Sequence, residues 1–246
     1  MDESQGYTSS SVVKAQKEKT MNQQQPKAIL FDLLTGLLNS WSIWDTVIPT
    51  AERTVTDGQT WRKQYLHLAF SYGPYKPYED LVHQAAVNVG LSQTCAAALL
   101  DRYDEIGHNP WPEVPEVLAR LQAKGYKLGV VTNISHELGL RTVRNVEGLV
   151  RERTGVKEFA FDAVVTAEEA GYYKPEQKPY RDGLRKLGVG AEEALFVAGS
   201  PSDITGATRV GMRVVWNNHI GLARRDNALP LKEGKSLDEA LEDFLN

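Results

Sequence analysis

At 246 residues the chain is long enough to bury a sizeable core, as one large domain or as a domain with an insert. Hydrophobic residues at 41%, charged residues at 24% and a net charge of −4 are ordinary for a globular protein, and no basic block offers the footprint of a nucleic-acid binder. Cys95 is the single cysteine, which excludes an intramolecular disulfide and a cysteine-based zinc site. It lies in the helical pattern from Ser92 to Leu100, where a small buried thiol is expected.

Residues 1–25 are rich in Ser, Gln, Lys and Glu and lack the apolar run of a signal peptide, so they read as a disordered tail. No stretch reaches the apolar length of a membrane span, so no membrane partner is expected and a cytoplasmic location is the simplest reading. The first structural element is the apolar run Ala28 to Phe31, bounded by Pro26 and by a Thr35-Gly36 turn. A short run with turn signals at both ends suits a buried central strand. It delivers Asp32 to its carboxyl end, the edge at which ligands bind in open α/β sheets. Asp near Gly is also a common turn cap, so the other residues arriving at that edge decide between the two readings.

From Trp41 to Asn109 the pattern is helical throughout, with no strand expected. Thr60 to Tyr72 places Trp61, Tyr65, Leu68 and Tyr72 on one face, and Gly73-Pro74 ends that helix. Tyr78 to Val89 and Ser92 to Ile106 read as two more helices, with Ser92 as a cap. After Asn109-Pro-Trp-Pro112 the chain alternates. Helix is expected over Glu116 to Lys124, His136 to Val146, Lys178 to Lys186, Asp203 to Arg209 and Ser236 to Phe244. Strand is expected over Tyr126 to Thr132, Phe161 to Thr166, Ala194 to Ala198 and Arg213 to Trp216. The charged stretch from Gly148 to Lys157 reads as a surface excursion. Such alternation implies a parallel sheet covered on both faces.

Four strand ends then deliver polar groups to one edge: Asp32; Thr132 and Asn133, followed by Ser135 as a helix cap; Lys174, held before Pro175 and so biased out of helix; and Ser200 with Asp203. Ser200 to Asp203 also fits a helix capping box. In order and spacing the four together resemble the haloacid dehalogenase superfamily, whose members set a nucleophilic Asp, a Ser/Thr, a Lys and a final acid on a Rossmann-like core. The resemblance covers the chain from Pro26 onward. It implies an α/β fold with a Rossmann-like parallel-sheet core over residues 26–40 and 110–246 and an inserted all-helical cap over 41–109.

Further residues are similar to the 2-haloacid dehalogenase branch. Trp61-Arg62-Lys63-Gln64 resembles its Trp-Arg-Gln carboxylate clamp, Lys174-Pro175 with Tyr180 its Lys-Pro and later Tyr, Asp203-Ile-Thr-Gly-Ala207 its Asp-Ala-Thr-Gly-Ala, and Thr132-Asn133 its Ser-Asn. The resemblance implies catalytic roles for Asp32, Lys174 and Asp203. It implies substrate contacts for Arg62, Thr132, Asn133, Leu34, Thr35, Tyr180 and Ser200. For Arg62 a solvated helix face is the competing reading. The partners implied are a small-molecule substrate and, from the habit of the branch, a second copy in a homodimer.

The chain also departs from the branch. Asp-x-Tyr-Gly-Thr is here Asp32-Leu-Leu34-Thr35-Gly36, Ser-x-Asn in the last loop is Ala198 and Ser200, and the Trp before the final Asp is Ser202. The three catalytic positions survive while the leaving-group pocket does not, which points to a larger or different electrophile.

Phosphoryl transfer expels an alkoxide that needs a proton, and phosphatase members of the superfamily place a second acid two residues after the nucleophile. Here that position is Leu34, and the carboxylates left to hold a metal are Asp32 and Asp203. A leaving group that departs as a stable anion needs no such acid. It needs an ionised nucleophile, which a neighbouring Lys⁺ provides, and Arg suits the planar carboxylate of a substrate. The expectation is therefore a hydrolase that forms an aspartyl ester on a carboxylate-bearing or related electrophilic substrate and requires no cofactor. The alternatives are a phosphatase with a reduced Mg²⁺ site and a binding protein on a lapsed enzyme core. The five His residues show no metal-ligand spacing.

Overall fold

The computed structural model describes residues 25–53 and 56–246. The tail expected at the N-terminus therefore lies, apart from Gln25, outside the described residues. Six strands form one parallel sheet: β1 (Ala28–Asp32), β2 (Lys127–Thr132), β3 (Ala163–Thr166), β4 (Ala194–Ala198), β5 (Arg213–Asn217) and β6 (Lys232–Gly234). Their order across the sheet is β3-β2-β1-β4-β5-β6. β1 is central, with Phe31 registered on Val130 of β2 and on Val197 of β4. All five of its residues are buried, which a parallel strand covered by helices on both faces requires.

The order reverses at β1: chain progression runs outward through β2 and β3 on one side and through β4, β5 and β6 on the other. This switch point opens a crevice at the carboxyl ends of β1 and its neighbours, where Asp32 stands.

Among the described residues between β1 and β2, every regular element is a helix: Ser42–Thr46, Gly58–Tyr72, Tyr78–Asn88, Gln93–Asp101, Asp104–Gly107 and Val114–Ala123. The chain leaves and returns at adjacent points, where Leu38 bridges Pro110 antiparallel. Side chains also fasten this helical insert to the sheet side: the Tyr65 hydroxyl donates to the Asn133 carbonyl at 2.7 Å and the Tyr173 hydroxyl to that of Lys76 at 2.7 Å. An aromatic stack of Trp44, Trp61, Tyr65, Tyr78 and Tyr103 fills the interior of the insert.

Several expectations are corrected. The stretch read as a surface excursion continues the helix His136–Thr154, which buries Val146 and Val150 and stops at Gly155 in the left-handed conformation (φ 73°). Charge on the outer face concealed that apolar stripe. The expected helix from Ser92 to Ile106 divides into Gln93–Asp101 and Asp104–Gly107. The Ser92 hydroxyl donates to Glu52 at 2.9 Å instead of capping, and the Ser135 hydroxyl likewise donates to Glu79 at 2.6 Å. The closing helix divides into Leu237–Ala240 and Glu242–Leu245. β6 carries the sequence Lys-Glu-Gly, which has no apolar signal. Cys95 is buried, as read, with its thiol 3.6 Å from a Glu52 carboxylate oxygen.

Candidate functional site

Asp32, the last residue of β1, is held from three directions. Its Oδ2 accepts the backbone N–H groups of Thr35 at 3.0 Å and Gly36 at 2.9 Å, and its Oδ1 meets Lys174 Nζ at 2.8 Å. Gly199 packs so close to Oδ2 and to the Gly36 nitrogen that a Cβ there would overlap both. One oxygen is thus enclosed by backbone, and the other, Oδ1, faces the Lys174 ammonium. The loop after Asp32 is itself fixed by Trp111 Nε1, which donates to the Thr35 carbonyl at 2.9 Å, and by the Asn217 amide, which donates to the Gly36 carbonyl at 2.8 Å.

Lys174 arrives from the loop after the helix Ala167–Ala170, and its peptide bond to Pro175 is cis. Asn133, at the end of β2, clamps that loop. Its side-chain oxygen accepts from Lys174 N at 2.7 Å and its amide donates to the Lys174 carbonyl at 3.0 Å. Lys174 Nζ also lies 2.9 Å from Asp203 Oδ1, so one buried ammonium bridges two buried carboxylates. Asp203 accepts in addition from the Tyr180 hydroxyl at 3.0 Å and from the Ser200 hydroxyl at 3.0 Å. The Ser200 hydroxyl also receives the Asp203 backbone N–H at 3.4 Å, so the N-cap half of the expected capping box is present alongside the approach of Asp203 to Lys174.

The charges differ accordingly. Burial pushes the Asp32 carboxyl up, but the Lys174 charge and hydrogen bond and the N–H groups of Gly36 and Thr35 outweigh it and hold the group below its ordinary value. Asp203 ends above its ordinary value: burial leads, the nearby Asp32 charge adds to it, and Lys174 offsets only part. Lys174 loses some basicity to burial and regains more from the two carboxylates, so it stays protonated.

Above this floor lies a cavity of about 500 Å³, lined in part by Asp32, Leu34, Thr35, Ser40, Trp41 and Arg62. Arg62, on the helix Gly58–Tyr72, is 4% exposed, so the reading of a solvated helix face does not hold. Its guanidinium donates to the Ser40 hydroxyl at 2.7 Å and the Thr35 hydroxyl at 3.2 Å, sits 4.2 Å over the Trp41 ring, and has no partner at Nε. Among the described residues no acid lies within ion-pair distance of it. Burial pulls it down to about 10, which leaves it cationic at neutral pH. A buried cation with neutral hydrogen-bond partners is costly, and an anion in the cavity would offset that cost.

Not every residue singled out by sequence reaches the cavity. Asn133 and Ser200 line it, whereas the Thr132 hydroxyl is fully buried without a partner and Tyr180 stands behind Asp203. Ser40, Trp41 and Trp111 escaped sequence reasoning. Trp111 in the Asn-Pro-Trp-Pro return carried a signal, a large aromatic in a turn; Ser40 carried none.

Two carboxylates stand where a metal could be held. Asp32 and Asp203 already share Lys174, and no group of three or more His, Cys, Asp or Glu residues able to hold a metal occurs among the described residues.

These features have counterparts in known proteins. Residues 29–217 match the family model described as haloacid dehalogenase-like hydrolase. Haloacetate dehalogenase H-2 of Moraxella sp. is 27% identical over 209 residues, covering 80% of this chain and 88% of that protein. Glyceraldehyde 3-phosphate phosphatase of Methanothermobacter thermautotrophicus is 36% identical over 120 residues, a match that spans 48% of this chain and about half (49%) of that protein. The solved L-2-haloacid dehalogenase of Xanthobacter autotrophicus shares the fold, with a TM-score of 0.69 at 20% identity over 89% of this chain and 99% of that one. With the family model spanning most of the sheet and the whole helical insert, the chain belongs to the haloacid dehalogenase-like hydrolases.

Proposed function

We propose that the chain hydrolyses a carboxylate-bearing electrophile through an aspartyl ester, of the 2-haloacid dehalogenase type, without an obligatory metal, and that residues 41–109 act as the cap over the site. The observation that carries this reading is the pairing of an ionised Asp32 with an unpaired, buried Arg62 across one cavity.

In this reading Arg62 and the Thr35 and Ser40 hydroxyls hold the substrate carboxylate, and Asp32 Oδ1 attacks the carbon that bears the leaving group. The C–O bond forms as the bond to the leaving group breaks, and that group departs with the electron pair, so no proton donor is needed. Leu34, which can neither give nor take a proton, suits such a departure. Lys174 keeps Asp32 ionised in the resting site. Water then attacks the acyl carbon of the ester and Asp203 takes its proton, a task favoured by a pKa raised above the carboxylate norm. The C–O bond to the substrate breaks, the proton held by Asp203 passes to the departing alkoxide, and the hydroxy acid leaves with the Asp32 carboxylate restored.

The phosphatase relative favours a second reading, Mg²⁺-dependent hydrolysis of a phosphate ester. The sharing of Lys174 by both carboxylates argues against it. A panel of 2-haloacids, carboxylic esters and phosphate esters, run with Mg²⁺ and with EDTA on wild type and Asp32→Asn, tests the choice. Turnover of a carbon electrophile in EDTA that Asp32→Asn abolishes is expected; phosphate-ester turnover that EDTA stops would transfer the assignment to phosphatase.

A further inference from the structure

We propose that the substrate of this site is dianionic: beyond the carboxylate held at Arg62 it carries a second anionic group, joined by an apolar stretch and received at the cavity mouth by Arg225 and Lys63. The inference rests on the reading of Arg62 as the inner anion subsite and adds the class of molecule that fills the remainder.

The cavity, at about 500 Å³, falls in the range of sites for sizeable ligands, well above the needs of a two- or three-carbon acid. Its lining is mixed. Asp32, Arg62, Lys174 and Asp203 are buried charges, Trp44, Leu66 and Phe70 add apolar and aromatic surface, and Lys63, Arg224 and Arg225 are exposed and mark the mouth. Asp32 and Asp203 are the only acids among the described lining residues, and both are at the floor. Among the described lining residues the mouth thus carries cations and no acid.

That positive rim is built on an anchored loop. Asn218 fixes the turn after β5 by accepting the Leu222 N–H at 2.7 Å while its amide donates to the Leu222 carbonyl at 3.0 Å and to Glu233 at 2.7 Å. Glu233 also neutralises Arg224 at 2.9 Å. Arg225 has a neutral partner instead, donating to the Ser202 hydroxyl at 3.3 Å. Ser202 neighbours Asp203 in sequence, so Arg225 reaches from the β5 loop back over the helix that begins at the floor. Lys63 comes from the opposite side, one residue after Arg62 on the insert. Arg225, whose printed partner is neutral, and Lys63, whose charge acts through space on Asp57, therefore belong to the two parts of the chain that enclose the cavity, and an anion between them would meet both.

The test measures binding without turnover. Calorimetry compares the dicarboxylates from butanedioate to decanedioate with the monocarboxylates of equal chain length, on wild type, Arg225→Gln and Lys63→Gln. Exposed ion pairs are worth at most about fivefold each, so the dianion of best-fitting length is expected to bind about three- to tenfold more tightly than its monoanion. Arg225→Gln and Lys63→Gln should each reduce that advantage without weakening the monoanion, and raised salt should erode it. No chain length at which the dianion is preferred, or a preference that survives both substitutions, overturns the proposal. Arg62→Gln separates the two claims. If it leaves monoanion affinity intact, the inner subsite is misread, while the dianion comparison at the mouth still gives its own answer.

Discussion

The floor and the wall of the cavity handle charge in opposite ways. On the floor every charge is answered: Lys174 meets Asp32 and Asp203 within 3 Å, and both acids accept further hydrogen bonds. On the wall Arg62 is equally buried but faces hydroxyls and indole rings. The contrast teaches that the floor balances its own charges, whereas the wall holds a buried cation with neutral partners, which under the proposed function a substrate carboxylate would meet. A buried ion pair is weak as a source of stability, but removing one member is costly, so the two regions should respond differently to loss of charge.

The largest effect should come from the proposed nucleophile. Asp32→Asn is expected to lower kcat at least about a thousandfold with the fold retained, checked by steady-state turnover and circular dichroism. Residual activity within tenfold of wild type would remove Asp32 from the chemistry.

Next, paired substitutions break the comparison directly. Lys174→Met should cost about 3–5 kcal/mol of unfolding free energy, because it strands two buried carboxylates. Arg62→Met, at similar burial, should leave stability unchanged or raised while increasing KM about 10- to 100-fold, the worth of a charged hydrogen bond. Denaturant titration of both variants, beside KM for the best substrate, reads the difference. Equal destabilisation would mean that Arg62 is structural.

A smaller effect sharpens the description of the floor. Asp32 has its pKa lowered by folding, so its contribution to stability is present above the unfolded carboxylate value and is lost as pH falls through the lower folded one. Asp203 has its pKa raised, so the folded state binds its proton more readily than the unfolded state, and stability is lost as pH rises through that range. Carbon-detected NMR of the two carboxyls should show one titration step below about 3.9 and one above it. Asn133→Ala should have the mildest consequence, about 1–3 kcal/mol for two buried hydrogen bonds to the Lys174 backbone, with kcat more affected than KM.

Legibility in the sequence followed how local each signal was. β1 and β4 were readable because an apolar run between turn residues carries its own boundaries, and Asp32, Lys174 and Asp203 because strand ends of a parallel sheet share an edge. The helix His136–Thr154 was cut short at Val146 because Arg and Glu on its outer face masked Val150. The burial of Arg62 was undecided because it depends on Trp41 and Ser40, about twenty residues away in sequence and brought near only by the fold. The Thr35 hydroxyl was known to be displaced from the usual pattern; that it accepts from both Arg62 and Trp41 required coordinates. Thr132 and Tyr180 matched motif positions, yet stand behind the cavity wall because sequence spacing does not fix the direction in which a side chain faces.

The central claim is that a carboxylate of the protein, and not water, makes the first attack on carbon. A single turnover in ¹⁸O-enriched water, with enzyme in excess over substrate, tests it by mass spectrometry of the peptide containing Asp32. The account predicts one ¹⁸O atom in the Asp32 carboxyl and an unlabelled hydroxy-acid product; label in the product with Asp32 unlabelled would contradict it.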